Sequence, residues 1–218
     1  MKIEMGKEGE GGQRPAATRA AKDDRRDAIV AIAHEAFLAN GYAGTSMSAI
    51  AAKLGGSKGT LYNYFSSKDE LFAAVIERKS EQFLSFLYDA EIEGSDLRAT
   101  LTHFCRRFLE VALADDSIAT YRLVSAECAR FPEIGHTLYK KGPMRGRQHM
   151  RCFLEHAKNA GQLRTDADIE MAAEQIFALC LFGIHQRRLW MVMQLPTAEE
   201  IRLQAEGAVS TFMHAFGA

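Results

Sequence analysis

The chain has 218 residues, 47% of them hydrophobic and 25% charged, with a formal net charge of −1. That length allows one large domain or two small ones with a sizeable core. The charge excludes a uniformly basic protein, and no apolar run approaches the roughly 18–20 residues a membrane-spanning helix needs.

Positive charge is concentrated early. Residues 1–68 carry ten Lys and Arg against seven Asp and Glu, and the remainder is acidic. The first 27 residues are polar, which predicts no signal peptide and a cytoplasmic protein. Four cysteines, Cys105, Cys128, Cys152 and Cys180, are scattered without a C-x-x-C pair. In a reducing compartment they read as buried thiols within helices, with a redox sensor as the alternative. Proline is scarce, Ala, Leu, Glu and Arg are frequent, and valines nowhere alternate with polar residues. An all-α fold follows.

Residues 1–23 show no apolar periodicity and predict a disordered tail. Its end carries basic residues, including Arg14, Arg19 and Lys22, that could reach a minor groove or simply be solvated. A first helix is predicted from Asp24 to Ala39, with Ile29, Ile32, Ala33, Ala36 and Phe37 on one face, ended by Asn40-Gly41. Met47, Ile50, Ala51 and Leu54 make the stripe of a two-turn helix stopped by Gly55-Gly56. A third helix runs from Lys58 to Tyr64, with Leu61 and Phe65 inward. Ser67 and Glu70 form a capping box that opens a fourth helix to about Ala90.

Beyond a break at Glu93-Gly94-Ser95, Ser95 caps a helix to about Ala114. Asp115-Asp116-Ser117 starts another, ending near Arg130. Pro132 opens a short helix to about Lys141. Gly142-Pro143 leads into a helix ending near Gly161. Asp166 or Asp168 opens a long helix to about Met193. Thr197 and Glu200 form a second capping box before the last helix. The expectation is nine helices or slightly more. Residues 24–72 form a helix-turn-helix domain, and residues 73–218 a helical bundle.

A helix that reads DNA must pack one face on its own domain and offer the other to base edges and phosphates. The outer positions of the third helix are Ser57, Lys58, Gly59, Thr60, Tyr62, Asn63 and Tyr64. They are small, polar, basic or aromatic. Thr45, Ser46 and Ser48 at the start of the second helix can bond phosphates. Lys68 does so at the positive end of the fourth.

The segment TSMSAIAAKLGGSKGTLYNYFSSKDELF, with its ordered motif G-T-L-Y-x-x-F-x-x-K, closely resembles the helix-turn-helix of the TetR/AcrR family of transcriptional regulators. The resemblance runs from Ala28 to Phe72. It implies a homodimeric, all-helical repressor with a variable C-terminal ligand domain. It also implies DNA contacts at Ser46, Ser48, Lys58, Gly59, Thr60, Tyr62, Tyr64 and Lys68. Gly56 stands where the family usually has Val or another small apolar residue, a departure that would loosen the turn, and Tyr64 stands where many members have His. Further on, Tyr121-Arg122-Leu123-Val124 with Glu127, then Arg130-Phe131-Pro132-Glu133-Ile134, Tyr139 and Gly142-Pro143, are similar to the AcrR-like and AefR-like branch, whose members often control efflux or cell-density responses.

No H-E-x-x-H, G-x-S-x-G, P-loop or dinucleotide fingerprint is present, so neither catalysis, a metal nor a cofactor is expected. A small-molecule cavity between helices is expected instead. Its candidate lining is Phe83, Leu87, Phe104, Phe108, Tyr121, Cys128, Phe177 and Leu181, with Arg122, Glu127 and His185 as polar contacts. A hydrophobic or aromatic effector would suit it. Reading heads of this kind work in pairs. The predicted dimer face is Ile169, Ala172, Ala173, Ile176, Leu179 and Gly183 with Ile201, Ala205, Ala208, Phe212 and Phe216. The expected function is a ligand-responsive DNA-binding regulator that leaves a palindromic operator when the effector binds. The alternative is a small-molecule-binding helical protein without specific DNA binding.

Overall fold

The computed structural model describes residues 15–55, 58–88 and 96–218, with the side chains of 21–55, 58–81 and 96–218. The described residues form eleven helices and one isolated antiparallel bridge, Leu163 with Gly217. Helix α1 (Pro15–Gly44) begins nine residues before the expected start. Pro15 suits a first turn, and the alanines, arginines and lysine that follow are strong helix formers, so propensity extends the helix where no apolar stripe demands it. The helical run breaks at Gly41, with φ 74° and ψ 170°, where the sequence predicted its end.

Helices α2 (Met47–Lys53) and α3 (Lys58–Tyr62) follow, then α4 (Lys68–Tyr88). The start of α4 departs slightly from the expected capping box. Ser67 Oγ accepts the Glu70 N–H at 3.1 Å, but the Glu70 carboxylate reaches one residue further, to the N–H and hydroxyl of Ser66, both at 2.7 Å. These bonds hold the Glu70 carboxyl below its ordinary range. The core beneath contains Ile29, Phe37, Tyr42, Ile50, Leu61, Phe65, Leu71 and Phe72, and continues into Val75, Ile76, Val124 and Ile134. The apolar stripe of α4 therefore serves both the helix-turn-helix and the bundle, and no gap in packing separates them at residue 72.

Helix α5 (Leu97–Ala112) is capped by Asp96, which accepts from the N–H groups of Arg98 at 2.9 Å and Ala99 at 3.3 Å. The expected cap, Ser95, lies outside the described residues. Next come α6 (Asp115–Glu127), α7 (Pro132–Lys141) and α8 (Pro143–Asn159), with proline in the first turn of the last two. The long helix expected to reach Met193 is instead two, α9 (Ile169–Leu181) and α10 (Ile184–Leu189). Gly183 takes φ 73°, a left-handed conformation that glycine adopts without strain, and the chain turns there. Asp168 caps α9, and Thr197 with Glu200 makes the full capping box of α11 (Ala198–Phe216).

The second core is built from α5, α8, α9 and α11. Leu101, Cys105 and Leu109 meet Leu154, Ala172, Ile176, Cys180, Ala205 and Phe212, each essentially fully buried. Each such large side chain stabilises by about 1.5–3 kcal/mol relative to exposure. Arg164 N donates to Phe216 O at 2.9 Å and Ala218 N to Gln162 O at 3.2 Å, which fastens the C-terminus beside the start of α9.

Candidate nucleic-acid interface and effector cavity

What holds α3 down sets the candidate reading face. In a helix of five residues only Leu61 is buried, with Phe65 just beyond, and both are 1% exposed. Lys58, Gly59, Tyr62 and Asn63 are therefore turned out, with Thr60 and Tyr64 half-buried beside them. Tyr62 is 50% exposed, an aromatic ring held in solvent rather than packed. Ser57 and Gly56 lie outside the described residues. At the start of α2, Ser46 accepts the Ala49 N–H at 3.2 Å and Ser48 is exposed.

Two expected contacts are committed elsewhere. Thr45 is buried, with its hydroxyl 2.7 Å from Gly41 O and 3.0 Å from Ala36 O. Its side chain closes the turn after α1 and does not join the outer face. Lys68 is half-buried. Its ammonium donates to Tyr42 O at 2.8 Å and lies 4.2 Å from the centre of the Tyr42 ring. One of its three donors is thus spent inside the protein. Tyr42 also donates its hydroxyl to Asp69. Burial, with that carboxylate beside it, pushes the phenol above its ordinary value.

A cavity of about 730 Å³ opens among α4 to α9, within the size range of small-molecule sites. Its apolar wall includes Ile76, Phe108, Tyr121, Leu138, Phe177 and Leu181. Phe104 stands behind that wall, its ring centre 5.7 Å from Phe177 and 6.3 Å from Phe108. The side chains of Phe83 and Leu87 lie outside the described residues. The polar lining includes Lys79 paired with Asp116, and Arg147 paired with Glu174 at 2.8 Å. Asp116 also faces His34 of α1 at 3.3 Å. Neither pair is legible in the sequence. Each joins residues far apart in the chain, and spacing carries no signal of that kind.

The four polar or thiol contacts expected at the cavity sit elsewhere. Arg122 donates to the carbonyls of Leu189 and Arg188, both at 2.8 Å, closing the end of α10. His185 packs behind Tyr121 with ring centres 5.1 Å apart, and burial lowers its pKa. Cys128 ends α6 and packs against the helix-turn-helix core. Glu127 faces the turn after α1, where its carboxylate accepts the N–H groups of Tyr42 and Ala43. Among the other cysteines, Cys105 and Cys180 are buried, but Cys152 is exposed, contrary to expectation.

The stripes assigned to a subunit contact are used within the chain. Ala172, Ala173, Ile176, Ile201, Ala205, Ala208, Phe212 and Phe216 are buried in the second core, with Ile169 and Leu179 packed against it. Gly183 marks the break between α9 and α10. Helices α9 and α11 pack on each other and on α5, so the most apolar faces are consumed internally. What points outward is Met171 and Phe182 near the two ends of α9, and Leu203 and Gly207 on α11.

Among the described residues no helix is long and apolar enough to cross a membrane, and no group of three His, Cys, Asp or Glu could hold a metal ion. Two family models match the chain. Residues 29–75 match the bacterial regulatory proteins of the tetR family, and residues 99–218 match the C-terminal domain of the AefR-like transcriptional repressors. The HTH-type transcriptional activator FasR of Mycolicibacterium smegmatis is 34% identical over 106 residues, and the match covers 49% of this chain and 48% of FasR. A TetR-family transcriptional regulator from Mesorhizobium loti superposes with a TM-score of 0.80 at 28% identity, over 92% of this chain and 99% of that one. The flavonoid-responsive regulator FrrA superposes with a TM-score of 0.78 at 30% identity, over 89% of this chain and 98% of its own. The outward polar face of α3, the shared helix α4 and these matches over both regions lead to one conclusion: the chain belongs to the TetR family of transcriptional regulators and carries an AefR-like C-terminal domain.

Proposed function

We propose that the protein is a homodimeric repressor that binds a palindromic operator through α3 and the starts of α2 and α4, and that releases it when a small apolar or aromatic molecule fills the cavity. The carrying observation is that one helix meets both sites. α4 begins six residues beyond Tyr62, and its Ile76, Lys79 and Ser80 line the cavity. A molecule that prefers a tilted α4 changes the separation of the two reading heads. It can weaken DNA binding only as far as it discriminates the two states, and operator DNA weakens its binding by the same factor.

The repressor reading draws on the description of the AefR-like domain, against which FasR is named an activator. The apolar lining suits a hydrophobic or aromatic effector, and the name of FrrA makes a flavonoid the first compound to try. The dimer would use the outward face of α9 and α11, around Met171, Leu203 and Gly207, in place of the stripes named from the sequence. Half-sites should lie about 34–36 Å apart. The test is a gel-shift series on the DNA upstream of the protein's own gene, with and without a flavonoid panel. Sequence-specific retardation is expected, and binding no tighter than to unrelated DNA overturns the reading.

A further inference from the structure

Helix α6 also reaches both regions. Asp116, Thr120 and Tyr121, in its first two turns, line the cavity. Glu127, its last residue, holds the turn that leads into α2. The carboxylate accepts the Tyr42 N–H and, at 2.8 Å, the Ala43 N–H, from residues 85 and 84 positions earlier in the chain. Gly41 makes room for it. A Cβ at Gly41 would lie 2.6 Å from Glu127 Oε1, and its φ of 74° already favours glycine. Tyr42, 1% exposed, then gathers the neighbouring elements. Its carbonyl takes the Lys68 ammonium, its hydroxyl bonds Asp69, and its ring meets Phe131 at 5.1 Å. The ends of α1 and α6 and the start of α4 thus meet at one residue.

We propose that Glu127 is a positioning residue. It sets the placement of the helix-turn-helix relative to the cavity, and it carries displacement of α6 to the operator face alongside α4. This rests on the reading that the cavity governs operator binding. A 13-residue helix is roughly 20 Å long and moves as a rod, so pressure at Tyr121 is felt at Glu127. A carboxylate bonded to two backbone N–H groups is directional, and such bonds weaken steeply once misaligned. Glutamine would fill the same volume with one acceptor and an NH2 that opposes the second N–H. Glu127→Gln therefore removes the clamp without removing packing.

The test needs no effector. Ser117→Trp places an indole in the cavity as a tethered occupant, with Val111→Trp on the opposite side as its substitute should that protein fail to fold. Operator affinity is measured on the upstream DNA for wild type, Glu127→Gln, the tryptophan variant and the double variant, with amide exchange at Tyr42 and Ala43. Each single change should lower operator affinity about tenfold. The double variant should be no weaker than the weaker single one, because both act on the same clamp. The tryptophan variant should also speed exchange at those two amides, which a purely structural role for Glu127 does not predict. Losses that multiply in the double variant, with both amides unmoved by the indole, overturn the clamp and leave the cavity reading standing. An indole that folds in and leaves operator affinity unchanged overturns the cavity reading, and the clamp with it.

Discussion

The two cores of this protein are closed in different ways. The helix-turn-helix is packed around Tyr42, whose ring lies 5.1–5.7 Å from Phe37, Phe72 and Phe131 and whose N–H, carbonyl and hydroxyl all have partners. The bundle keeps a cavity of about 730 Å³, with opposite charges paired across its wall. A reading face must hold side chains in register with DNA, so its support has to be rigid. An effector site needs a second packing of similar free energy, and space within a core makes one accessible.

That contrast can be broken most directly at its centre. Tyr42→Ala should cost about 3–5 kcal/mol in urea unfolding, as expected for a large side chain lost from a closed core. Tyr121→Ala, whose ring already borders space, should cost less. Equal losses would mean that the cavity wall is packed as tightly as the core around Tyr42. The next largest effect concerns α11. Ala205→Leu forces a side chain into a filled core and should cost about 1–3 kcal/mol. Leu203→Asp, two residues away and 54% exposed, should leave the fold intact and dissociate the proposed dimer in analytical ultracentrifugation. A variant that stays dimeric removes this face from the interface.

Within the helix-turn-helix, Thr45→Val should destabilise by about 1–3 kcal/mol by taking the hydroxyl donor from Gly41 O, whereas Ala36 O keeps the Asn40 side-chain amide. Tyr62→Ala and Lys58→Ala should change stability by less than about 0.5 kcal/mol yet weaken operator binding. Lys58→Ala should also flatten the salt dependence by about one unit. Lys68→Ala should do both, since its ammonium serves Tyr42. Thr45→Val that lowers affinity with stability untouched would restore it to the contact face.

The smallest effect is a dependence on pH. Burial lowers the pKa of His34, against the opposing pull of Asp116, and burial lowers that of His185. The unfolded chain then binds more protons at these sites, so their contribution to stability is lost as pH falls through the ordinary value of 6.5 towards the folded values. Melting temperature should drop over that interval, and His34→Gln with His185→Gln should flatten the drop. An unchanged slope in the double variant would show that neither imidazole is buried neutral.

Much of the scaffold was legible because it rests on local chemistry. The stripe Met47, Ile50 and Ala51, the prolines opening α7 and α8, and the Thr197–Glu200 box all act within one or two turns. The start of α1 was not, because alanine and arginine propensity leaves no apolar period to read. The break at Gly183 was missed for the opposite reason. Apolar residues continue through it, and only the left-handed backbone reveals the turn.

By itself the sequence determined the all-helical class, the order of the elements and which face of α3 stays out of the core. Those follow from periodicity and caps, which neighbours along the chain decide. Tertiary structure alone assigned the partners. It turned Thr45 inward, tied Lys68 to Tyr42, moved Glu127 from the cavity to the turn after α1, and spent the stripes of α9 and α11 on each other. An apolar stripe must be buried and a half-buried carboxylate must find donors, but the sequence does not say against what. That depends on which surfaces the other helices leave open.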